Sequence, residues 1–287
     1  MKTTQKLILL CLALWLCTAN VTAQSYFSET ISKLWETAAI FDVPESAFYD
    51  IENNAIYVSS IGGKPSEKDE NGFISKIEPN GNIIKIDWIT SLNGPKGMIV
   101  YNGKLYVADI DRVVEIDVKS GKILKMHQAK GAEFLNDVAA GYDGTIYISD
   151  MGTGGIYCIV NGEIKLWFPK GTFNRPNGLY FDNGNLLVGC KGSIQSINPK
   201  TKEITAVALI DGGIDGLEKD KNGNFIFSDW SGKIQKLKPG GEPVVLLNTT
   251  DEKINAADIH LIRDKNILLV PTFFDNRIMA YQINKTN

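Results

Sequence analysis

Glutamate, aspartate, asparagine and lysine side chains recur at one position of a repeated unit, a pattern that suits a divalent cation site. The positions are Glu45, Lys96, Asn136, Asn177, Asp215 and Ala257. Carboxylate and amide oxygens suit calcium, with magnesium or manganese as alternatives, and a zinc site is disfavoured because the set holds no His or Cys. Glu45 and Asp215 would neutralise the charge of the ion. Asn136 and Asn177 would add neutral oxygens.

The spacing of these positions indicates how the chain brings them together. Successive positions are 51, 40, 41, 38 and 42 residues apart. Each unit reads as four short strands, with apolar runs such as Ile146-Tyr147-Ile148 preceded by turn pairs such as Asp143-Gly144. Four-stranded units at this period predict an all-β, six-bladed β-propeller. A β-sandwich, the alternative, explains the even period less well.

The two ends of the sequence predict how the ring closes. The chain stops soon after the third strand of the sixth unit, so that unit lacks its own fourth strand. Residues 31–35 resemble the fourth strand at residues 163–167. We therefore expect the N-terminal strand to complete the last blade, and residues 24–287 to form a single propeller domain.

Innermost strands of a propeller line its central axis and begin at the same face, so the six positions should face one another. Buried carboxylates and amides are costly unless a cation or a hydrogen-bond network satisfies them. One interpretation is a bound ion. The other is a metal-free network in which Lys96 pairs with Glu45 and waters bridge the amides. Strand alternation predicts that Asp137 and Asp258, one residue further on, point away from the axis.

The loops at the same face should form the mouth of the channel. Residues 59–72 are the longest of these loops and are either a lid or a solvated insertion. Met151, Trp230 and Phe273 occupy comparable loops and are candidates for the wall of a pocket. Of the histidines, His127 falls on a predicted outer strand and His260 inside the sixth inner strand, so neither is placed at the mouth.

The first residues predict export. Lys2 and Lys6 precede an apolar run at residues 7–17, and a small-residue cleavage site ends at Ala23, which is typical of a signal peptide at residues 1–23. The run is too short to span a bilayer. We expect a periplasmic or secreted protein with no membrane span. Removing both lysines moves the net charge from −3 to −5, which argues against nucleic acid as a partner.

Two cysteines remain after the predicted signal peptide. Cys158 and Cys190 lie in neighbouring units. An exported protein could pair them, and two separately buried thiols are equally compatible with the sequence.

Several of these segments, in the same order along the chain, resemble the SMP-30/gluconolactonase/LRE-like family. The segments are Pro44-Glu45-Ser46, Asn136-Asp137, Arg175-Pro176-Asn177-Gly178-Leu179 and Ile214-Asp215-Gly216-Leu217. The resemblance implies a six-bladed propeller with a divalent metal, often calcium, in the channel. It implies Glu45, Asn177 and Asp215 as metal ligands and Asn136 as a ligand or substrate contact. Sugar-lactonase members often carry arginine where this chain has Phe134, so the resemblance does not extend to sugar-acid lactone substrates.

The residues and the resemblance together favour a calcium-dependent hydrolase of a lactone or related ester, acting on a small-molecule substrate. Asp215 is the candidate general base, and Asn136 and Lys96 are candidate substrate-binding residues. A second hypothesis is a non-catalytic exported propeller that binds a small ligand or protein at the mouth. A third is a metal-free enzyme like strictosidine synthase, with Glu45 as its base.

Overall fold

The computed structural model of the protein describes residues 29–285, which form six four-stranded antiparallel sheets. The predicted signal peptide at residues 1–23 lies outside the described residues. Each sheet is one blade, and inner strands of neighbouring blades contact one another around the ring. The all-β, six-bladed propeller predicted from the repeat is confirmed.

The first three blades are each built from four consecutive strands. Blade one contains β2 (Pro44–Asp50), β3 (Ala55–Ser60), β4 (Gly72–Ile77) and β5 (Ile83–Leu92). Blade two contains β6 (Pro95–Tyr101), β7 (Lys104–Asp109), β8 (Arg112–Asp117) and β9 (Lys122–Gln128). Blade three contains β10 (Leu135–Ala140), β11 (Ile146–Asp150), β12 (Gly155–Val160) and β13 (Glu163–Phe168).

The last three blades follow the same order, except that the final one borrows a strand. Blade four contains β14 (Leu179–Asp182), β15 (Asn185–Cys190), β16 (Ser193–Ile197) and β17 (Ile204–Leu209). Blade five contains β18 (Leu217–Lys219), β19 (Phe225–Asp229), β20 (Lys233–Leu237) and β21 (Val244–Asn248). Blade six contains β22 (His260–Ile262), β23 (Ile267–Pro271), β24 (Ile278–Lys285) and β1 (Glu29–Glu36), with a short 3-10 helix at Phe273–Asp275.

The N-terminal strand completes the last blade, as the sequence predicts. β1 pairs antiparallel with β24, with Ile31 opposite Ile283. This pairing covers the edge of β24 and joins the two ends of the described chain. The inner strands also meet at this junction, because the Asp258 N–H donates to the Glu45 carbonyl at 3.0 Å.

Packing between blades explains why the second strands are apolar and aromatic. β11 is buried along its whole length, whereas β9, at the outer edge of its blade, is almost wholly exposed. Tyr57 of blade one packs in one apolar cluster with Leu105 and Val107 of blade two. Each blade therefore buries both faces of its middle strands against its neighbours.

The two cysteines that follow the predicted signal peptide are free thiols. Cys158 and Cys190 are both buried and belong to one apolar cluster between blades three and four. Of the two possibilities that the sequence leaves open, the structure shows separate thiols. Burial raises the pKa of the Cys190 thiol to about 12.

Inner strands of neighbouring blades approach too closely for a side chain at three of the residues that follow the polar positions, Gly97, Gly178 and Gly216. A Cβ on Gly97 would lie 2.7 Å from the Asp137 Cα of blade three. A Cβ on Gly216 would collide with the Ile259 backbone nitrogen and lie 2.8 Å from its Cγ1. Glycine at these points lets the inner strands touch, and this contact sets the width of the channel.

We predict that Gly216→Ala destabilises the fold by about 3 kcal/mol, because the new methyl group must displace backbone of blade six. Chemical denaturation measures the change. The matched control is Gly213→Ala in the connection between β17 and β18, where an added Cβ meets nothing within 4 Å. Equal stability of the two variants would show that the inner strands are not in obligatory contact.

Candidate functional site

The six positions predicted to face one another lie where the inner strands begin, and backbone hydrogen bonds hold them there. We call them the polar ring; it consists of Glu45, Lys96, Asn136, Asn177 and Asp215, with Ala257 as the sixth position. Glu45, Lys96 and Asn136 are the second residues of β2, β6 and β10. The other three precede their strands and continue the ladder to the second strand. Asn177 N donates to the Gly189 carbonyl at 2.8 Å, and Asp215 N to that of Ser228 at 2.9 Å.

Three side-chain oxygens at this ring are buried without a hydrogen-bond partner. They are Glu45 Oε2, Asn136 Oδ1 and Asn177 Oδ1. Asn177 Nδ2 donates to Asp215 Oδ1 at 2.8 Å, so the amide oxygen is not used in that bond. Orphaned buried oxygens are rare in folded proteins, and three at one place call for a ligand. All four predicted metal ligands line one cavity, and three of them supply these oxygens.

Burial raises the pKa values of both ring carboxyls in the metal-free chain, which favours their protonated forms. Burial, together with the charge of Asp215, raises the pKa of Glu45 well above its usual range. Burial also raises the pKa of Asp215 to about 7, against the opposing effect of the hydrogen bond from Asn177. A positive ion at the ring would remove this cost of burying negative charge.

Lys96 does not complete a metal-free network with Glu45 Oε2, which is one of the unpartnered oxygens. Its ammonium donates to the Gly94 carbonyl at 2.7 Å and to the Pro65 carbonyl at 3.0 Å, and lies 4.4 Å from the centre of the Phe134 ring. Burial lowers the pKa of Lys96 to about 8. The lysine thus anchors the long loop of blade one at the mouth, and Pro65 of that loop lines the cavity.

The cavity above the ring has a volume of about 410 Å³, within the range of small-molecule sites. Met151, Trp230 and Phe273, the predicted wall residues, all line it. Several other residues line the cavity that the sequence did not assign to it. These are Ile61, Arg175, Lys191, Ile214, Asp229 and Phe274.

A second cavity of about 210 Å³ is lined by inner-strand residues of all six blades, beyond the polar ring. Asp137 and Asp258 are among the residues that line it. Asp137 Oδ2 accepts from Leu179 N at 2.6 Å, and Asp258 Oδ2 from the Ser46 hydroxyl at 2.6 Å. Both carboxylates therefore join neighbouring blades.

Both histidines lie away from the mouth, as predicted. His127 is on β9 and its Nε2 is 2.8 Å from Glu115 Oε2. His260 lines the second cavity, with Nδ1 2.8 Å from Glu218 Oε1. Within residues 29–285, no three His, Cys, Asp or Glu side chains share a metal-ligand arrangement, so the candidate donor set depends on its two amides. The same residues contain no helix with the length and hydropathy that a membrane crossing requires.

Comparison with known proteins supports the six-bladed propeller fold. No family model and no curated protein matches the chain in sequence. It is similar in structure to a streptogramin B lyase, with a TM-score of 0.64 and 14% identity over 89% of this chain and 98% of the other. It is also similar to a protein provisionally assigned as a gluconolactonase, with a TM-score of 0.63 and 16% identity over 89% of this chain and 92% of the other. A third similar structure is an inactive virginiamycin B lyase variant from Staphylococcus aureus, solved with quinupristin. Its TM-score is 0.60, with 14% identity over 88% of this chain and 99% of the other. Likeness at this identity establishes a six-bladed propeller and leaves the reaction open.

The raised pKa values predict how the stability of the metal-free protein depends on pH. Asp215 and Asp137 both have a pKa of about 7 when folded, against an ordinary value of 3.8. Each binds its proton more tightly in the folded chain, so the stability it contributes is complete below about pH 4 and is lost as pH rises through about 7. We expect a loss on the order of a few kcal/mol across this range.

Denaturation curves between pH 4 and pH 8, with chelator and then with saturating Ca²⁺, measure the effect. Calcium should restore stability at pH 7 to 8 and change little at pH 4, where the carboxyls are protonated. Glu45→Gln should weaken the calcium effect. A metal-free protein whose stability rises steadily with pH would contradict this account of the ring.

Proposed function

We propose that the protein is a calcium-dependent hydrolase of a lactone or related ester, of the SMP-30/gluconolactonase/LRE-like kind. The observation that carries the proposal is the set of three unpartnered oxygens at the ring, from Glu45, Asn136 and Asn177, beside the Asp215 carboxylate. This donor set fits a hard divalent cation. It supports the metal-dependent hypothesis over the metal-free one, in which Glu45 would act alone as a base.

Glu45, Asn136, Asn177 and Asp215 would hold the ion. A bound divalent cation polarises an acyl carbonyl and stabilises the negative charge that develops on its oxygen. The chain itself supplies the base and the orientation. Asn177 Nδ2 fixes the Asp215 carboxylate through Oδ1, so that the base keeps one position under the cavity.

In the proposed reaction, Asp215 removes a proton from a water molecule as the water oxygen attacks the acyl carbon. The ester C–O bond then breaks, and the proton passes from Asp215 to the departing alkoxide oxygen, which gives a hydroxy acid from a lactone. Lys96 and Asn136, both on the cavity wall, would orient the substrate. The low exposure of the ring keeps bulk water away from the base.

The lyase chemistry named for two of the structural neighbours has less support here. In one neighbour, replacement of a histidine by alanine gives the inactive form. In this chain both histidines lie outside the mouth cavity. Export through residues 1–23 remains part of the proposal, as does the small-molecule nature of the substrate.

We predict that Asp215→Asn lowers kcat for lactone hydrolysis by at least about 100-fold, because the amide keeps its shape and loses the ability to accept a proton. Asn177→Ala should weaken Ca²⁺ binding as well as kcat, since it removes a ligand and the group that orients Asp215. The matched control is Asp211→Asn, an exposed carboxylate in the connection that leads into the same blade.

The measurement is hydrolysis of a panel of lactones and phosphotriesters with and without chelator, beside calcium binding by calorimetry. Full turnover by Asp215→Asn would overturn the assignment of the base. Calcium binding without hydrolysis of any compound would favour the non-catalytic propeller instead.

A further inference from the structure

One wall of the mouth is an aromatic surface formed by Trp230, Phe273 and Phe274 of blades five and six. Trp230 packs edge-on against both phenylalanines, with ring centres 5.4 Å and 5.8 Å apart. Trp230 is 44% exposed and Phe274 is 65% exposed, and both line the cavity. Contiguous exposed aromatic rings around a cavity mark a surface that binds apolar groups.

Blade four contributes two cationic side chains to the same cavity. Arg175 precedes β14 and Lys191 follows β15, and both are exposed. An Arg175 Nη lies 3.6 Å from the Met151 sulfur, and within residues 29–285 neither head group is ion-paired. The rim carboxylate Asp229 is held in its own turn by the Ser231 N–H at 2.9 Å. The cationic groups therefore remain available to an anionic ligand.

Backbone geometry shows that two walls of the mouth are held in place, the aromatic wall and the cationic wall formed by Arg175 and Lys191. Arg175 has φ 49° and Phe273 has φ 50°, in the left-handed region that bulky residues rarely adopt. Such conformations persist where surrounding structure imposes them, and they concentrate at ligand sites. Here they occur at one residue of each wall.

We propose that the substrate is an amphipathic lactone or ester that carries an aromatic or branched aliphatic group and, separately, a carboxylate. The apolar group packs on Trp230, Phe273 and Phe274, and the carboxylate binds Arg175, with Lys191 as the second cation. A sugar-acid lactone fits poorly, because its hydroxyls would lose water against the aromatic wall without gaining partners. The proposal rests on the proposed hydrolase only for the position of the scissile carbonyl over the ring.

Four related lactones separate the two walls. γ-Butyrolactone has neither group, γ-phenyl-γ-butyrolactone has the phenyl group, paraconic acid has the carboxylate, and γ-phenylparaconic acid has both. The corresponding γ-lactams have nearly the same shape and resist hydrolysis. Calorimetry with the lactams and calcium-loaded protein measures binding alone, while the lactones measure kcat/KM. We expect the phenyl-carboxylate compound to rank first in both series, with glucono-δ-lactone a poor substrate.

The variants assign each preference to its wall. Arg175→Gln should weaken binding of both carboxylated lactams at least about tenfold and leave the phenyl-only lactam unchanged. Trp230→Ala should weaken binding of both phenyl lactams about tenfold and leave the carboxylate-only lactam unchanged. The matched controls are Lys200→Gln and Tyr142→Ala, an exposed cation and an exposed aromatic side chain outside the mouth.

Selective lactam binding without hydrolysis of any lactone would support this substrate class and overturn the proposed reaction. Hydrolysis without any preference for the phenyl group or the carboxylate would overturn the proposed substrate class, while the proposed hydrolysis reaction would stand. The substrate class also fails if no lactam binds, or if each variant weakens all four lactams equally.

Discussion

The structure depends on the direct contact between inner strands of neighbouring blades. At Gly97 and Gly216 the next blade occupies the space that a side chain would need. At the junction of blades six and one, the Asp258 N–H bonds to the Glu45 carbonyl, and the Ser46 hydroxyl bonds to the Asp258 carboxylate. These contacts draw six segments that are distant in sequence into one narrow channel. The pairing of β1 with β24 then closes the ring at its outer edge.

Closure has an electrostatic consequence. Polar residues at the strand starts become neighbours with little solvent around them. Burial therefore raises the pKa values of the Glu45 and Asp215 carboxyls, which favours their protonated forms. The ammonium of Lys96 is directed to backbone carbonyls and does not relieve this charge through hydrogen bonds to the orphaned oxygens. A chain that keeps carboxylates and free amide oxygens at its axis gives up stability there unless a cation binds. This is the physical basis for proposing a metal-dependent site.

The repeat period, the strands and the borrowed N-terminal strand could be predicted because they follow from local patterns and from one missing element. The ring residues could be predicted because equivalent positions of a closed ring must face one another. The contacts of Asp137 and Asp258 could not, because each carboxylate accepts a hydrogen bond from a neighbouring blade, which strand alternation does not indicate. Arg175 appeared in a recognised segment, but its place at the mouth depends on a left-handed backbone that no local pattern indicates. Unpartnered oxygens are visible only once all neighbours have been placed.

The most direct test of the central claim is the location of calcium in crystals of the protein, by anomalous diffraction at long wavelength. We expect one strong peak on the channel axis, about 2.3–2.6 Å from side-chain oxygens of Glu45, Asn136, Asn177 and Asp215. In Glu45→Gln crystals prepared in the same way, the peak should weaken or vanish. A channel that stays empty at saturating calcium, or a peak bound only at the surface, would contradict the account.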